Sequence, residues 1–295
     1  MVLSVRLVPG LALPAALAAL LVAPGCVDIV GADLNKYVER DEKHFAVSGK
    51  PEVVLATFDG SIEIRPWDKA DVQVVIEKRG RDHDDVAAIE VKAEQQGSRI
   101  EISVTEPKRD HGGFNLHFNN RSAKLIVSVP ASADVTAKSG DGSIDIERVT
   151  GHVQLRSGDG SIRGRMLGGD VEANTGDGSI RLDGKLTSVR VHTGDGSVTI
   201  HADAGSSPAA DWDIVTGDGS VTLELPEGFN GELDAHTGDG GIRLHDVTVS
   251  NVSGKIGKNN VKGRLGSGGA NVRVRTGDGS ITLRRALGAE ATGQP

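Results

Sequence analysis

The tripeptide Gly-Asp-Gly recurs with its aspartate at positions 141, 159, 177, 195, 218, 239 and 278, so that successive copies stand 18, 18, 18, 23, 21 and 39 residues apart. The last interval is close to two periods, and Lys255–Leu265 (KIGKNNVKGRL) reads as one degenerate copy inside it. An isolated version, Thr57-Phe58-Asp59-Gly60-Ser61-Ile62-Glu63-Ile64, stands 82 residues before the first clean copy. A fixed period of this length marks a small supersecondary unit that cannot bury its apolar face alone and must stack on its neighbours.

Alignment on the turn shows which positions face inward, because a strand alternates its side chains with period two. On the strand leaving the turn the copies carry Ile144/Ile146, Ile162/Gly164, Ile180/Leu182, Val198/Ile200, Val221/Leu223, Ile242/Leu244 and Ile281/Leu283, with one gap at Gly164. The strand entering it carries Val135/Ala137, Val153/Leu155, Val171/Ala173, Val189/Val191, Trp212/Ile214, Leu233/Ala235 and Val272/Val274. Each copy is therefore strand, tight turn, strand, with the same face apolar. Parallel coils pair about 4.8 Å apart, which stacks like side chains into ladders and explains why identical positions carry identical chemistry. The expected fold is all-β, a parallel β-solenoid (β-helix-like) whose 18-residue coils turn at TGDGSI. An antiparallel hairpin meander or sandwich is the alternative, since Asp-Gly is also a hairpin turn signal, but it has less need of a fixed period. The insertions that lengthen two intervals, Ala204-Gly205-Ser206-Ser207-Pro208 and Pro226-Glu227-Gly228, are loop chemistry expected away from the turns.

Within the turn, flanking glycines can take positive φ without steric cost, and the aspartate between them can accept hydrogen bonds from the turn's own N–H groups. Neighbouring Ser and Thr hydroxyls can do the same. Asp141, Asp159, Asp177, Asp195, Asp218, Asp239 and Asp278 are accordingly read as a structural turn ladder. Carboxylates about 4.8 Å apart repel by roughly 1 kcal/mol per adjacent pair even at the dielectric of water, so something must offset that. Calcium is one candidate, because repeated Gly-Asp turns in RTX-type solenoids bind it between coils, but those use a nine-residue GGxGxDxUx repeat that this chain lacks. The local alternative relies on turn N–H groups, neighbouring hydroxyls and the adjacent column containing Lys138, Arg156 and Arg275. Folding without calcium, with no metal site and no cofactor, is the expectation.

Residues 1–25 read as a lipoprotein-type export signal, in which Arg6 precedes an uncharged apolar run from Leu7 to Ala23. With Pro9 and Pro14 inside it, the run makes a poor membrane span. It ends at Leu21-Val22-Ala23-Pro24-Gly25-Cys26, small residues before the chain's one cysteine, which resembles a bacterial lipoprotein box and marks Cys26 for lipidation. A stray thiol after an ordinary signal is the plainer alternative. Acylation would hold the chain on a membrane. Val27 in place of Asp favours the outer membrane, by resemblance to sorted bacterial lipoproteins, over a periplasmic or secreted fate. With Cys26 consumed, no thiol remains for a disulfide, a thiolate metal site or a nucleophile. Residues 26–44 are expected to be a tether, 45–130 an irregular amino-terminal β region, 131–285 the repeat and 286–295 a flexible tail.

Between 45 and 130 the pattern is strand-like without a fixed period. Val53/Leu55, Ile62/Ile64 and Val72/Val74/Ile76 alternate, and Ile89/Val91/Ala93 followed by Ile100/Ile102/Val104 resembles a hairpin. Glu106–Arg121, with Asp110-His111-Gly112-Gly113, reads as a surface loop, and Lys124–Val129 as a strand ending at Pro130. Phe45-x-Val47, Asp59–Ile64, Trp67-Asp68, Val72-x-Val74, Val127-x-Val129-Pro130 and the TGDGSI series together resemble the DUF4097 β-strand repeat family, whose members are also called adhesins. The resemblance spans residues 45–285. It implies a β-helix-like exported protein and brings no catalytic residues with it.

A polysaccharide lyase or glycosidase is the enzyme alternative, because a β-helix offers a long groove for paired carboxylates. An active site, however, is a singular cluster, and the aspartates here repeat equally. The GDGS serines have no neighbouring base, and no HExxH, GxGxxG or GxxxxGK pattern occurs. His192 and His236 share an outward column that reads Lys138, Arg156, Asn174, His192, Val215, His236 and Arg275. Val215 and one coil separate the two histidines, which favours solvated surface over a paired metal site. Trp212 falls at an inward position and Trp67 at a strand end, leaving few aromatics for sugar stacking. A net charge of −8 supplies no basic footprint for nucleic acid. The expected protein is non-catalytic: an envelope surface, structural or adhesive, that is held on a membrane by its lipid and meets a glycan. The alternative is an accessory subunit that recognises an envelope protein.

Overall fold

The computed structural model describes residues 37–106, 121–252 and 257–286. Its amino-terminal strands are β1 (Tyr37–Ala46), β2 (Glu52–Thr57), β3 (Ile62–Trp67), β4 (Asp71–Gly80), β5 (Glu90–Gln96), β6 (Arg99–Thr105) and β7 (Ser122–Pro130), with one short helix, α1 (His83–Ala87). The repeat supplies β8 (Asp134–Ser139), β9 (Ile144–Glu147), β10 (Thr150–Arg156), β11 (Ile162–Asn174), β12 (Ile180–Thr193), β13 (Val198–Ala202) and β14 (Trp212–Thr216). It continues with β15 (Val221–Leu225), β16 (Gly231–Thr237), β17 (Ile242–His245), β18 (Val249–Ser250), β19 (Asn260–Leu265), β20 (Asn271–Thr276) and β21 (Ile281–Arg285). All join one mixed sheet, and the fold is all-β.

Most copies pair in parallel and in register, as the inward columns require. On the entering side Val135, Val153, Val171 and Val189 are consecutive partners. On the leaving side Ile144, Ile162, Ile180, Val198 and Val221 follow one another. Every inward residue named above is buried except Ile242 and Leu244, which are half-buried because β17 ends its side of the stack. The gap at Gly164 is filled from three positions further along: a Cβ there would lie 2.5 Å from Leu167 Cδ1. Trp212 is in the core, edge-on to Phe229 at 5.2 Å between ring centroids.

Stacking does not follow chain order. Turn by turn the order is Asp59, Asp141, Asp159, Asp177, Asp195, Asp218, Asp278 and Asp239, because β20 and β21 insert between the coil of β14 and β15 and the coil of β16 and β17. Asn260–Leu265, expected to belong to a degenerate parallel copy, instead caps β16 as the antiparallel β19. It has no hydroxyl-Gly-Asp-Gly turn with which to stack as a coil. The preceding residues 253–256 lie outside those described. At the other end β6 and β7 pair in parallel with β2 and β3, although they follow them in the chain. Among the described residues antiparallel pairing, the alternative for the whole chain, is confined to the two ends: β1 with β4, β4 with β7, β5 with β6, and β19 with β16 and β18.

The hairpin expected in the amino-terminal half is β5–β6. Residues 37–44, expected to finish a tether, form most of β1, which pairs with β4 from Tyr37↔Gly80 to Ala46↔Asp71. Its sequence YVERDEKHFA has no apolar alternation, so periodicity gives no sign of it. The backbone ladder to β4 and Phe45 packed against the core hold it, with the cross-strand charge pairs Arg40–Glu77 and Lys78–Glu39 beside them. Helix α1 was equally invisible. Asp82 caps it by accepting from the Asp85 N–H, and the buried Asp85 carboxylate takes the Arg81 Nε at 2.9 Å and the Arg121 guanidinium at 2.6 Å. The Arg81 hydrogen bond, aided by Arg121 and opposed by burial, holds Asp85 well below the usual carboxylate range. The export signal, Cys26, most of the expected loop (107–120) and 287–295 of the tail lie outside the described residues. Among those described, no helix is long and apolar enough to cross a membrane.

Candidate binding face along the stacked turns

The turns are held to one another by the hydroxyl that precedes each Gly-Asp-Gly. Thr216 Oγ donates to the carbonyls of Gly194 and Gly196 (3.2 and 2.9 Å), Thr193 to Gly176 and Gly178, and Thr175 to Gly158 and Gly160. Ser139, Ser157, Thr276 and Thr237 clip to Gly60, Gly142, Gly219 and Gly279 in the same way. Several of these hydroxyls also accept from their own turn, as when Gly142 N–H donates to Ser139 Oγ at 3.0 Å and Gly160 N–H to Ser157 Oγ at 3.1 Å. The turn N–H expected to bind the aspartate is thus taken by a hydroxyl three residues upstream. Asp59 differs, its carboxylate accepting from the Gly60 N–H.

The turn glycines also have a different reason to be glycine from the one expected. Of them only Gly60 takes a positive φ, at 133°. What the others supply is closeness: Gly217 N–H donates to Gly194 O at 2.6 Å and Gly238 N–H to Gly277 O at 2.7 Å. A Cβ on Gly158 would sit 2.4 Å from the Gly140 carbonyl oxygen and 2.7 Å from Asp141 Oδ1.

These contacts leave all eight aspartates exposed on one edge. Two of the cations expected to neutralise that edge pair elsewhere. Arg156 turns to Glu172 (2.9 Å) and Arg275 to Asp234 (2.7 Å), because both acids project from the same outer sheet face. His192 and His236 are further apart than chain order suggests, separated by Val215 and Arg275. Beside the turns of Asp141 and Asp159 lies a shallow groove of about 600 Å³, lined by Lys138, Asp141, Arg156, Glu172 and Asn174. Two of its three clip residues, Ser139 and Ser157, are serine where Thr175 and every later copy have threonine. Among the described residues no three or more His, Cys, Asp or Glu converge to hold a metal ion. Trp67 closes the end of β3, its Nε1 donating to Asp71 O at 2.8 Å with Lys69 Nζ 4.4 Å from the ring centroid. A polar trio that sequence gave no reason to group, His201, Glu224 and Arg284, meets on the outer face of β13, β15 and β21.

Two outcomes follow from the clips and the acidic edge. Thr216→Val keeps the shape but removes a buried donor to two carbonyls, and should lower the unfolding free energy by about 1–2 kcal/mol in urea titration. Burial first and the charge of Asp141 second push the Asp59 carboxyl above its ordinary value, against the lowering by the Gly60 N–H. A carboxyl raised in this way binds its proton more tightly folded than unfolded, so its penalty is present at neutral pH and fades as pH falls through the folded value. Asp59→Asn should therefore raise the Tm relative to the parent at neutral pH and lose that advantage in acid; melts across the acid range check the sign.

The family described as Toastrack DUF4097 matches residues 52–209, and a domain of unknown function, DUF7330, matches residues 145–284. No curated protein matches the chain. It is similar to the crystal structure of a "putative cell adhesion protein" from Clostridium sporogenes (15% identity, TM-score 0.38, covering 84% of this chain and 100% of that one). It is also similar to a "putative adhesin" from Bacteroides fragilis (11%, TM-score 0.34, covering 84% and 97%) and a "putative lipid binding protein" from Parabacteroides distasonis (14%, TM-score 0.30, covering 83% and 96%).

Proposed function

The chain belongs to the Toastrack DUF4097 family, and from that premise we propose that it is an exported, lipid-anchored protein of the bacterial envelope whose coils form a parallel β-solenoid with a non-catalytic, adhesive or structural binding face. The observation that carries this reading is the turn edge: eight like turns in register, clipped together and exposed along one side. A rigid, evenly spaced polar edge suits a partner that itself repeats, such as a glycan, because successive contacts then act multivalently. The groove at Lys138, Arg156, Glu172 and Asn174 adds mixed polar groups for sugar hydroxyls. Acylated Cys26 would hold this surface on the outer membrane.

A second reading, an accessory subunit for an envelope protein, is favoured by the open end of the stack. There β17 pairs only with β21 among the described residues; Lys258 O takes the Ile242 N–H at 2.8 Å, and the edge beyond it, with Leu244 half-buried, admits an added strand. Full-length protein extracted from membranes should carry the mass of an acylated Cys26 and bind immobilised glycans unaided. One stoichiometric protein partner with no glycan binding would favour the accessory subunit. Undiminished membrane retention of Cys26→Ala, with no mass deficit, would remove the anchor.

A further inference from the structure

The slot between the coil of Asp218 and the coil of Asp239 is filled by Asn271–Arg285, a segment that follows both in the chain. We propose that this slot is a docking site for the carboxy-terminal coil of a second copy, so that two chains associate by exchanging residues 271–285. The inference does not depend on what the turn edge binds.

The contacts that seat the coil are made to β14, β15, β16 and β17, to the turns between them and to Asp211, and are indifferent to which chain supplies it. Thr276 Oγ donates to Gly219 O (2.8 Å), Thr237 Oγ donates to Gly279 O (2.7 Å), and Arg275 pairs with Asp234 (2.7 Å). Only the connection distinguishes one chain from two. That connection is Gly266-Ser267-Gly268-Gly269-Ala270, and it must cross β16, because β19 and β20 lie on opposite sides of it. All three of its glycines take positive φ, at 55°, 85° and 144°, and Asn230 Oδ1 tacks it down by accepting from Ser267 N–H at 2.7 Å. Such a short hinge between complete structural units is the usual setting for exchange.

An emptied slot need not stay open. Its walls carry Thr216-Gly217-Asp218-Gly219 and Thr237-Gly238-Asp239-Gly240, the same clip and turn, with apolar residues facing inward at matching positions. The two coils can stack directly on each other and re-bury the walls, while the released coil still exposes Val272, Val274, Ile281 and Leu283, which are buried only in a slot of this kind. Tethering keeps the coil at an effective concentration in the millimolar range, so exchange should gain ground only when copies are crowded or the hinge is shortened.

The crossing spans two strand spacings, about 9.6 Å. Deleting residues 266–270 leaves a single Cα step of about 3.8 Å, which cannot make it. In the full chain carrying Cys26→Ala, this deletion should give a dimer by light scattering with its β circular dichroism intact. With the hinge present, Val215→Cys and Arg275→Cys provide the second test, because these residues are in-register partners on β14 and β20 at a spacing that suits a disulfide. Placed on separate chains and refolded together, the two variants should form a disulfide-linked pair whose yield rises with concentration. A folded, monomeric hinge deletion would overturn the proposal. Should the deletion not fold, the cysteine mixture decides: no linked pair at any concentration, while the double variant closes its disulfide within one chain, overturns it equally.

Discussion

Trp212→Ala should lower the unfolding free energy by about 3–5 kcal/mol, the largest loss expected from any single core truncation in this chain. Trp212 is the largest fully buried side chain, and its ring meets Phe229 edge-on at 5.2 Å. The cost of such a truncation depends on how far the surroundings can collapse. Here they can collapse little. Trp212 is in register with Val272 on one side, and its strand pairs with β12 on the other, so moving either wall inward would break ladder hydrogen bonds. Phe229 arrives from the Pro226–Gly228 insertion and could follow the cavity, but only by pulling that loop. Urea titration of parent and variant gives the number. A loss below about 1 kcal/mol would mean that the loop, and not the ladder, sets the packing.

The inward face was legible because a period of two laid over a period of 18 leaves no second way to bury Ile144, Ile162 and Ile180 together. The same regularity hid the order of the last coils. Ile214 of β14 pairs with Val274 where chain order would have supplied Ala235, and to an apolar column either serves. What the repeat pattern does not encode is that β19 occupies the far side of β16. Strand β1 escaped for the opposite reason: most of its positions carry charged or polar residues with no apolar period. The aspartate edge was legible in its residues but not in the bonds between its turns. Asp141, Asp159 and Asp177 stand at the edge as their spacing requires, yet the contacts that bind turn to turn are made by Ser157, Thr175 and Thr193. Sequence equality among Gly, Asp and hydroxyl positions cannot say which of them faces the next coil.

Gly160→Ala tests whether closeness, not backbone freedom, is what the turn glycines supply. Gly160 does not take a positive φ, so if conformational freedom were the reason for glycine here, alanine would be tolerated and would even stabilise by about 0.4–1 kcal/mol through the unfolded chain. Closeness predicts the reverse. A Cβ at 160 would stand 2.3 Å from Gly142 O, 2.5 Å from Gly142 C and 2.7 Å from Asp141 O. All three are backbone atoms that cannot swing aside as a side-chain tip would, so relief requires parting the two turns. Parting them also stretches the Ser157 Oγ to Gly142 O bond of 2.9 Å. Overpacking of this kind costs typically 1–3 kcal/mol, and the lost clip adds to it, so the net destabilisation should be about 2–3 kcal/mol even after the unfolded-state gain. Gly241→Ser is the matched control, because it restores the serine of the other copies at a position where a Cβ meets nothing nearer than Lys258 Cε at 3.8 Å. It should change stability by less than about 0.5 kcal/mol. Equal and small effects at the two positions in denaturant titrations would show that the turns can part freely, and the rigid edge would lose its physical basis.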